Sequence, residues 1–304
     1  MRAPFSLSLC VVLLLAGCGD DAPADAGSHD LVVAGGRVVD PASGLDAVRH
    51  LGLRGDTIVA VSEEPLEGAR VVDATGLVVA PGFIDLHQHG GSDEAYGFAV
   101  RDGVTSAFEL EVGVADLRAW YAERRGGQRV NYGAAVGHIP VRMEVFDDPA
   151  TGLVPAGAGG SAAAGPEELD RIEAMLRTGL AEGAVAAGFG SAYTPGADMA
   201  EIRRMFRVAA EHGASAHIHM RGGLAGLDST LAAAAEAGVP LHVVHVNSSA
   251  GEELDDFLRA IEAARAAGRD VSTETYPYGA GMTGIESALF DDWESWPEER
   301  FGIH

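Results

Sequence analysis

The chain has 304 residues, 47% hydrophobic and 6% aromatic, enough for one large domain or two smaller ones with a substantial core. Its formal net charge is −24 and its pI is near 4.6. Such a surface repels phosphate backbones, which argues against nucleic acid as a partner, and an anionic small molecule would need local positive charge to bind. All 21 basic residues are arginine, and the two cysteines, Cys10 and Cys18, lie in the first twenty residues, so beyond them there is no disulfide and no thiolate ligand.

The N-terminus reads as a targeting segment. Met1-Arg2 is followed by an apolar stretch, Phe5 to Leu15, too short to span a bilayer comfortably. Leu15-Ala16-Gly17-Cys18 resembles a bacterial lipobox, with residues 1–17 as signal peptide and Cys18 as the lipidated first residue of the mature chain. An ordinary secretory signal cleaved nearby is the alternative, and both imply export. Localisation is therefore expected in the cell envelope, with the membrane reached only through the N-terminal lipid. Residues 18–30 are small and acidic and read as a flexible tether.

Residues 31–80 carry short strand signals. Leu31 to Asp40 reads as two strands around Gly35-Gly36, His50 to Val61 as a pair around Gly55-Asp56, and Val71 to Ala80 as another pair. From residue 81 the pattern changes to alternating strands and helices, which argues for a parallel sheet. The spacing predicts strands at 83–89, 104–111, 131–138, 184–190, 214–220, 241–246 and 270–276. Between them lie amphipathic helices, one opened by Pro166-Glu167-Glu168, one capped by Asp198, and others over Leu224 to Ala237 and Glu252 to Ala267. The low-complexity segment 150–165 reads as a lid or binding loop. The fold class is α/β, a (β/α)8-type barrel over 81–304 of which seven strands are countable and the eighth is missing. This leads to the expectation that the chain is the N-terminal portion of a longer protein.

Functional groups of such a barrel sit at the C-terminal strand ends. His87-Gln88-His89 closes the apolar run Val79 to Leu86. On a strand, residues i and i+2 share a side, so both imidazoles face one point. Glu109 and Glu111 share a face in the same way, and two inward acids need a cation to neutralise them. With neither lysine nor a usable cysteine, one of them is expected to bridge two ions. Glu111 is favoured because it lies nearer the strand end. His219 and His245 end two later strands. His217 lies deeper and is expected to pack or hydrogen-bond; His242 has the opposite parity to His245 and is expected to face a helix. His87, His89, one Glu, His219 and His245 supply ligands for one or two divalent ions, and mixed N/O ligation suits zinc.

Several segments occur in a telling order: Pro81 to His89, Gly103-Val104-Thr105-Ser106, Gly137-His138 followed by Arg142, Gly188 to Pro195, His219-Met220-Arg221 and Thr275-Tyr276-Pro277-Tyr278. Together the chain resembles the amidohydrolase superfamily, in its N-acyl-D-amino-acid deacylase (D-aminoacylase) branch, over roughly residues 31 to 290. The resemblance implies that His87, His89, His219 and His245 are metal ligands and that Tyr193, Tyr276 and Tyr278 line a substrate pocket with His138 and Arg221 at its edge. It implies that residues 31–80 form half of a β-sandwich beside the barrel. Three departures stand out. The family's bridging Cys is absent, with Glu109 and Glu111 near its place. The family's carboxylate-binding Lys is Asn247 here. The catalytic Asp that follows the eighth strand has no counterpart, and is expected beyond residue 304.

The expected function is metal-dependent hydrolysis of the amide of an N-acyl-D-amino acid by a metal-activated water, with a small-molecule amide as partner and no endoprotease action. A cyclic-amide hydrolase or isoaspartyl dipeptidase is the nearest rival within the class. A non-catalytic metal- or ligand-binding barrel lacking the catalytic Asp is the rival outside it. Cys18→Ser is expected to release the protein from membranes; membrane fractionation that finds the variant still lipid-attached would defeat the lipoprotein reading.

Overall fold

A computed structural model describes residues 29–291 and 293–296. The signal segment 1–17 and Cys18 lie outside the described residues. The chain divides into two compact units, residues 1–81 and 82–304.

The first unit is one mixed sheet of five strands: β1 (His29–Asp40), β2 (Leu45–Arg54), β3 (Thr57–Ser62), β4 (Gly68–Asp73) and β5 (Val78–Val79), in the order β3-β2-β1-β4 with β5 also on β1. β1 begins two residues inside the segment read as tether. It also runs unbroken through Gly35-Gly36, where the sequence predicted a turn between two strands. Gly35 has φ +70, and the register against β2 shifts between Val33 and Gly36, so the dipeptide makes a bulge rather than a hairpin. β5 then passes so close that a Cβ on Gly36 would lie 2.5 Å from Val79. β4 and β5, expected to pair with each other, instead both pair parallel with β1. The predicted pair around Gly55-Asp56 is present as the β2–β3 hairpin, whose two-residue loop has Gly55 at φ +58.

The second unit alternates strands and helices: β6 (Phe83–Asp85), α1 (Asp93–Arg101), β7 (Val104–Val114), α2 (Leu117–Glu123), β8 (Asn131–Gly137), α3 (His138–Val145), α4 (Ala158–Ser161), α5 (Pro166–Ala181), β9 (Ala187–Gly190), α6 (Met199–Glu211), β10 (Ala216–His219), α7 (Gly223–Ala237), β11 (Leu241–Val243), α8 (Val246–Ala250), α9 (Leu254–Ala266) and β12 (Val271–Thr273). β6 to β12 form a seven-stranded sheet in sequence order, every neighbouring pair parallel. The sheet is curled. In a flat sheet its edge strands would stand roughly 29 Å apart, six steps of about 4.8 Å. Instead His87, just past β6, and Glu274, just past β12, lie 2.9 Å apart. This is an open barrel of seven strands among the described residues, as the sequence indicated. Its helical layer packs Leu117, Ile172, Leu176, Ile202, Phe206 and Phe257 against Phe189 and Ile218 of the sheet, all fully buried. Helix starts follow the expected signals: Pro166 opens α5, and the Asp198 carboxylate accepts the Glu201 N–H at 2.8 Å.

Segment 150–165 is pinned rather than free. The Asp148 carboxylate accepts N–H groups of Ala150, Ala156 and Gly159, and Arg142 donates to the carbonyls of Gly159 and Ala162. Val154 is buried with Val112, Ile139 and Tyr193.

β7 departs from regular pairing. Glu109 opposes Ala134 and Val114 opposes Val136, so the end of β7 bulges over its neighbours. Glycines make room: a Cβ on Gly188 would lie 2.4 Å from the Glu111 carbonyl, and one on Gly137 would lie 1.8 Å from that of Val112. Gly188→Ala is therefore expected to destabilise the protein by about 2 kcal/mol through overpacking. Gly279→Ala, whose Cβ meets nothing within 4 Å, is expected to be neutral. Denaturant melts of the two variants check this.

Candidate metal centre

The bulged end of β7 carries two buried acids into the mouth of the curled sheet. Glu111 is 3% exposed and Glu109 9%. Burying a carboxylate is costly unless it is paired and hydrogen-bonded. Glu111 meets four imidazoles. Its Oε2 lies 2.6 Å from His87 Nε2 and 3.0 Å from His89 Nε2. Its Oε1 lies 2.7 Å from His219 Nδ1 and 3.5 Å from His245 Nε2. Burial alone would raise its pKa, but these imidazole contacts hold it well below the usual carboxylate range.

The four histidines come from three places. The strand β6 stops at Asp85, so His87 and His89 stand on the loop after it, with His87 bridged to Glu109 through the backbone. His219 ends β10. His245 lies two residues past β11 in the left-handed region, at φ 32. The nitrogens pair closely: His87 Nε2 to His89 Nε2 and His219 Nδ1 to His245 Nε2 are each 3.1 Å. Two donor groups result, His87–His89–Glu111 and Glu111–His219–His245, each able to hold a divalent ion, with Glu111 common to both. The donor set fits zinc. Tetrahedral bonds of 2.0–2.1 Å set ligand atoms about 3.3 Å apart, close to the nitrogen separations seen.

Burial by itself would lower the histidine pKa values. Hydrogen bonds donated to carboxylates on both sides of the ring outweigh it, raising His87 to about 9 through Glu111 and Glu274 and His89 to about 10 through Glu109 and Glu111. Of the four rings, the Glu109 carboxylate bonds that of His89, by Oε2 to Nδ1 at 2.6 Å, and its other oxygen accepts the Gly113 N–H. It braces one ligand, whereas Glu111 joins all four.

Around this cluster the sequence candidates divide. Tyr193, 8% exposed, sets its ring 4.6 Å from His219, and burial pushes its hydroxyl up to about 12. Tyr276 lies 6.5 Å from the His245 ring and stacks on the exposed Tyr278. Asn247 Nδ2 reaches the Tyr276 carbonyl at 3.5 Å. Arg221 donates to the carbonyls of Ser191, Thr194 and Ala197, so it braces the loop that carries Tyr193.

His138 does not join the cluster at the pocket edge. It is fully buried at the start of α3, its Nε2 2.8 Å from Glu201 Oε1, which Arg142 Nη1 also meets at 2.6 Å. His242 corrects the parity argument. It does not face a helix: its ring is 4.8 Å from that of His217, and its Nε2 meets Glu274 at 2.8 Å. The strand ends at Val243, and the left-handed turn at His245 resets the alternation, so both histidines reach the same interior. His217, as expected, only packs and hydrogen-bonds, to Ser215 Oγ at 3.1 Å; burial lowers it to about 3.

Sequence reasoning passed over Glu274. It is the acid just beyond β12, and the rule that strand ends carry function would have selected it.

A family profile described as "Amidohydrolase family" matches residues 70–299. The chain is 31% identical over 295 residues to the N-acyl-D-glutamate deacylase of Alcaligenes xylosoxydans xylosoxydans, covering 84% of this chain and 58% of that protein. It is 30% identical to the D-aminoacylase of the same organism, covering 85% and 59%. Among solved structures it is similar to N-acyl-D-glutamate deacylase from Bordetella bronchiseptica, complexed with zinc and a phosphonate inhibitor, at TM-score 0.71 and 25% identity over 83% of this chain and 59% of that one. The chain thus spans about three fifths of the length of these relatives.

The unequal reach of the two acids gives a direct test. Glu111→Ala is expected to abolish zinc uptake, whereas Glu109→Ala should keep most of it. Metal analysis of the purified variants showing the reverse order would overturn Glu111 as the shared ligand.

Proposed function

This chain belongs to the amidohydrolase family, and we propose that it hydrolyses the C–N amide bond of a small N-acyl amino acid of the D series. One observation carries the reading: a single buried carboxylate, Glu111, shared by two histidine pairs at the mouth of a parallel sheet. The activities in the names of its relatives, deacylation of N-acyl-D-glutamate and D-aminoacylase, support the substrate class.

In this reading His87, His89 and Glu111 would hold one divalent ion, and Glu111, His219 and His245 a second. A divalent ion in such a site supplies Lewis acidity to a carbonyl and brings the pKa of a water to roughly 7. The chain's own residues do the rest that its geometry allows. Glu109 keeps His89 turned toward Glu111. The Tyr193 hydroxyl, protonated up to about pH 12, is a hydrogen-bond donor beside His219 for the oxygen of the amide carbonyl. Tyr276 and Asn247 form the adjoining wall. Asn247 is neutral where the family resemblance expects a lysine, so a free substrate carboxylate finds no ammonium partner there. The protein's net charge of −24 also disfavours dianionic substrates. The net charge thus favours N-acyl-D-amino acids with uncharged side chains over N-acyl-D-glutamate, whereas Asn247 bears on the α-carboxylate that all of them share.

We also propose export and membrane attachment through a lipid on Cys18, on the sequence signal alone.

The test is a panel of N-acyl-D-amino acids, N-acyl-L-amino acids and cyclic amides, assayed with the zinc-loaded full-length protein by amine release or ring opening. D-substrates with uncharged side chains are expected to react fastest. Chelation should abolish turnover, and added zinc should restore it. Ring opening without amine release would move the assignment to a cyclic-amide hydrolase, and no turnover of any amide would leave a binding protein.

A further inference from the structure

Glu274, one residue beyond β12, makes three hydrogen bonds with one carboxylate. Its Oε1 meets Nδ1 of His87 at 2.9 Å and accepts the backbone N–H of His245 at 2.6 Å. Its Oε2 meets Nε2 of His242 at 2.8 Å. His242 is fixed in turn by Ser272 Oγ, 2.8 Å from its Nδ1. The carboxylate is therefore held from the side away from Glu111 and grips two residues that face Glu111.

Those two residues need fixing for different reasons. An imidazole can present either nitrogen, and a nitrogen that bonds a carboxylate carries the hydrogen, leaving the opposite one to ligate. Glu274, outside the donor groups, occupies Nδ1 of His87 and holds the hydrogen there; Nε2, 2.6 Å from Glu111 of its own donor group, is the nitrogen left to share an ion with that carboxylate. His245 has φ 32, a conformation that residues with a side chain rarely adopt and that holds only when its surroundings enforce it. The bond from its N–H to Glu274 is a side-chain anchor on that backbone. Glu274 belongs to neither donor group around Glu111.

We propose that Glu274 is a positioning residue of the metal centre, setting the ring direction of His87 and the backbone of His245 so that both Nε2 atoms converge on Glu111. Because His87 follows the edge strand β6 and His245 follows β11, the strand beside the other edge, the same carboxylate sets the spacing between ligands from the two sides of the open barrel. The proposal rests on reading the cluster as a metal centre, but not on any particular substrate.

The experiment compares metal-free wild type, Glu274→Gln and Glu274→Ala, full chain in each case. Zinc affinity is measured by competition with a chromophoric chelator, cobalt(II) coordination by its visible spectrum, and fold by thermal melting without metal. Gln keeps an oxygen for His87 and His245 but loses the charge. The Ala variant is expected to bind zinc about 10–100-fold more weakly, with an altered cobalt spectrum. The Gln variant should weaken binding by less, with its metal-free melting unchanged, and it decides the matter if the Ala variant does not fold. Wild-type zinc affinity and an unaltered cobalt spectrum in the variants would overturn the proposal, as would a lowered melting temperature with affinity intact. Wild-type protein that binds no zinc would overturn the metal reading and this proposal with it. Zinc binding without amide hydrolysis would defeat only the substrate assignment.

Discussion

The site is organised by the burial of one negative charge. Glu111 is almost wholly removed from water. An unpaired carboxylate in that position would be strongly destabilising, so its partners are a condition of the fold as much as a feature of the chemistry. Four imidazoles satisfy it, two from the end of the edge strand β6 and one each from the neighbouring strands β10 and β11 on the far side of the sheet order. Convergence on one carboxylate requires the sheet to curl, and the curl brings the ends of β6 and β12 into contact. Site and architecture therefore share one constraint. The seven strands cannot flatten without stranding Glu111, and Glu111 cannot be buried without the bulge that Gly137 and Gly188 permit.

That bulge explains which parts of the site could be read from sequence. Alternation of strand and helix was legible because apolar runs of four to eight residues between capped amphipathic helices have few other solutions. The ligand candidates His87, His89, His219, His245 and Glu111 were legible because each stands at the end of such a run. Parity arguments had mixed success where the strands were irregular or had ended. For Glu109 and Glu111 both side chains do turn inward, yet only Glu111 reaches all four rings, a difference set by the irregular register of β7. For His242 the same argument failed. The strand ends at Val243, and one left-handed residue, His245, undoes the alternation on which parity depends.

Other misses have a different cause. His138 follows Gly137 at a strand end, where a barrel places function, and its burial comes from a helix sixty residues later in the chain. Glu201 on α6 bonds both its ring and Arg142. No local pattern marks Glu201, because a buried acid on an amphipathic helix looks like one more solvent-facing charge. The glycine dipeptide in β1 was misread for a related reason. Gly35-Gly36 permits a tight turn, but the pairing with β2 continues through it, and β5 needs the absent side chain. Long-range packing overrode a local signal that was correct about backbone freedom.

The absence of lysine has a structural counterpart beyond the missing bridge. Arg142 and Arg221 use their guanidinium forks as braces, each donating to backbone carbonyls of a loop at the strand mouths. An ammonium is a point charge and could not span carbonyls of Ser191, Thr194 and Ala197 with the same fixed geometry. The loop that Arg221 braces carries Tyr193 against His219, and the loop that Arg142 braces continues from the segment whose Val154 packs on Tyr193. Buried Arg142 and half-buried Arg221 thus hold the tyrosine's surroundings. The arrangement separates two tasks that compete for charge. Arginine supplies stiffness at the periphery, and the positive charge that Glu111 requires is left to imidazoles, which can exchange a proton for a metal ion.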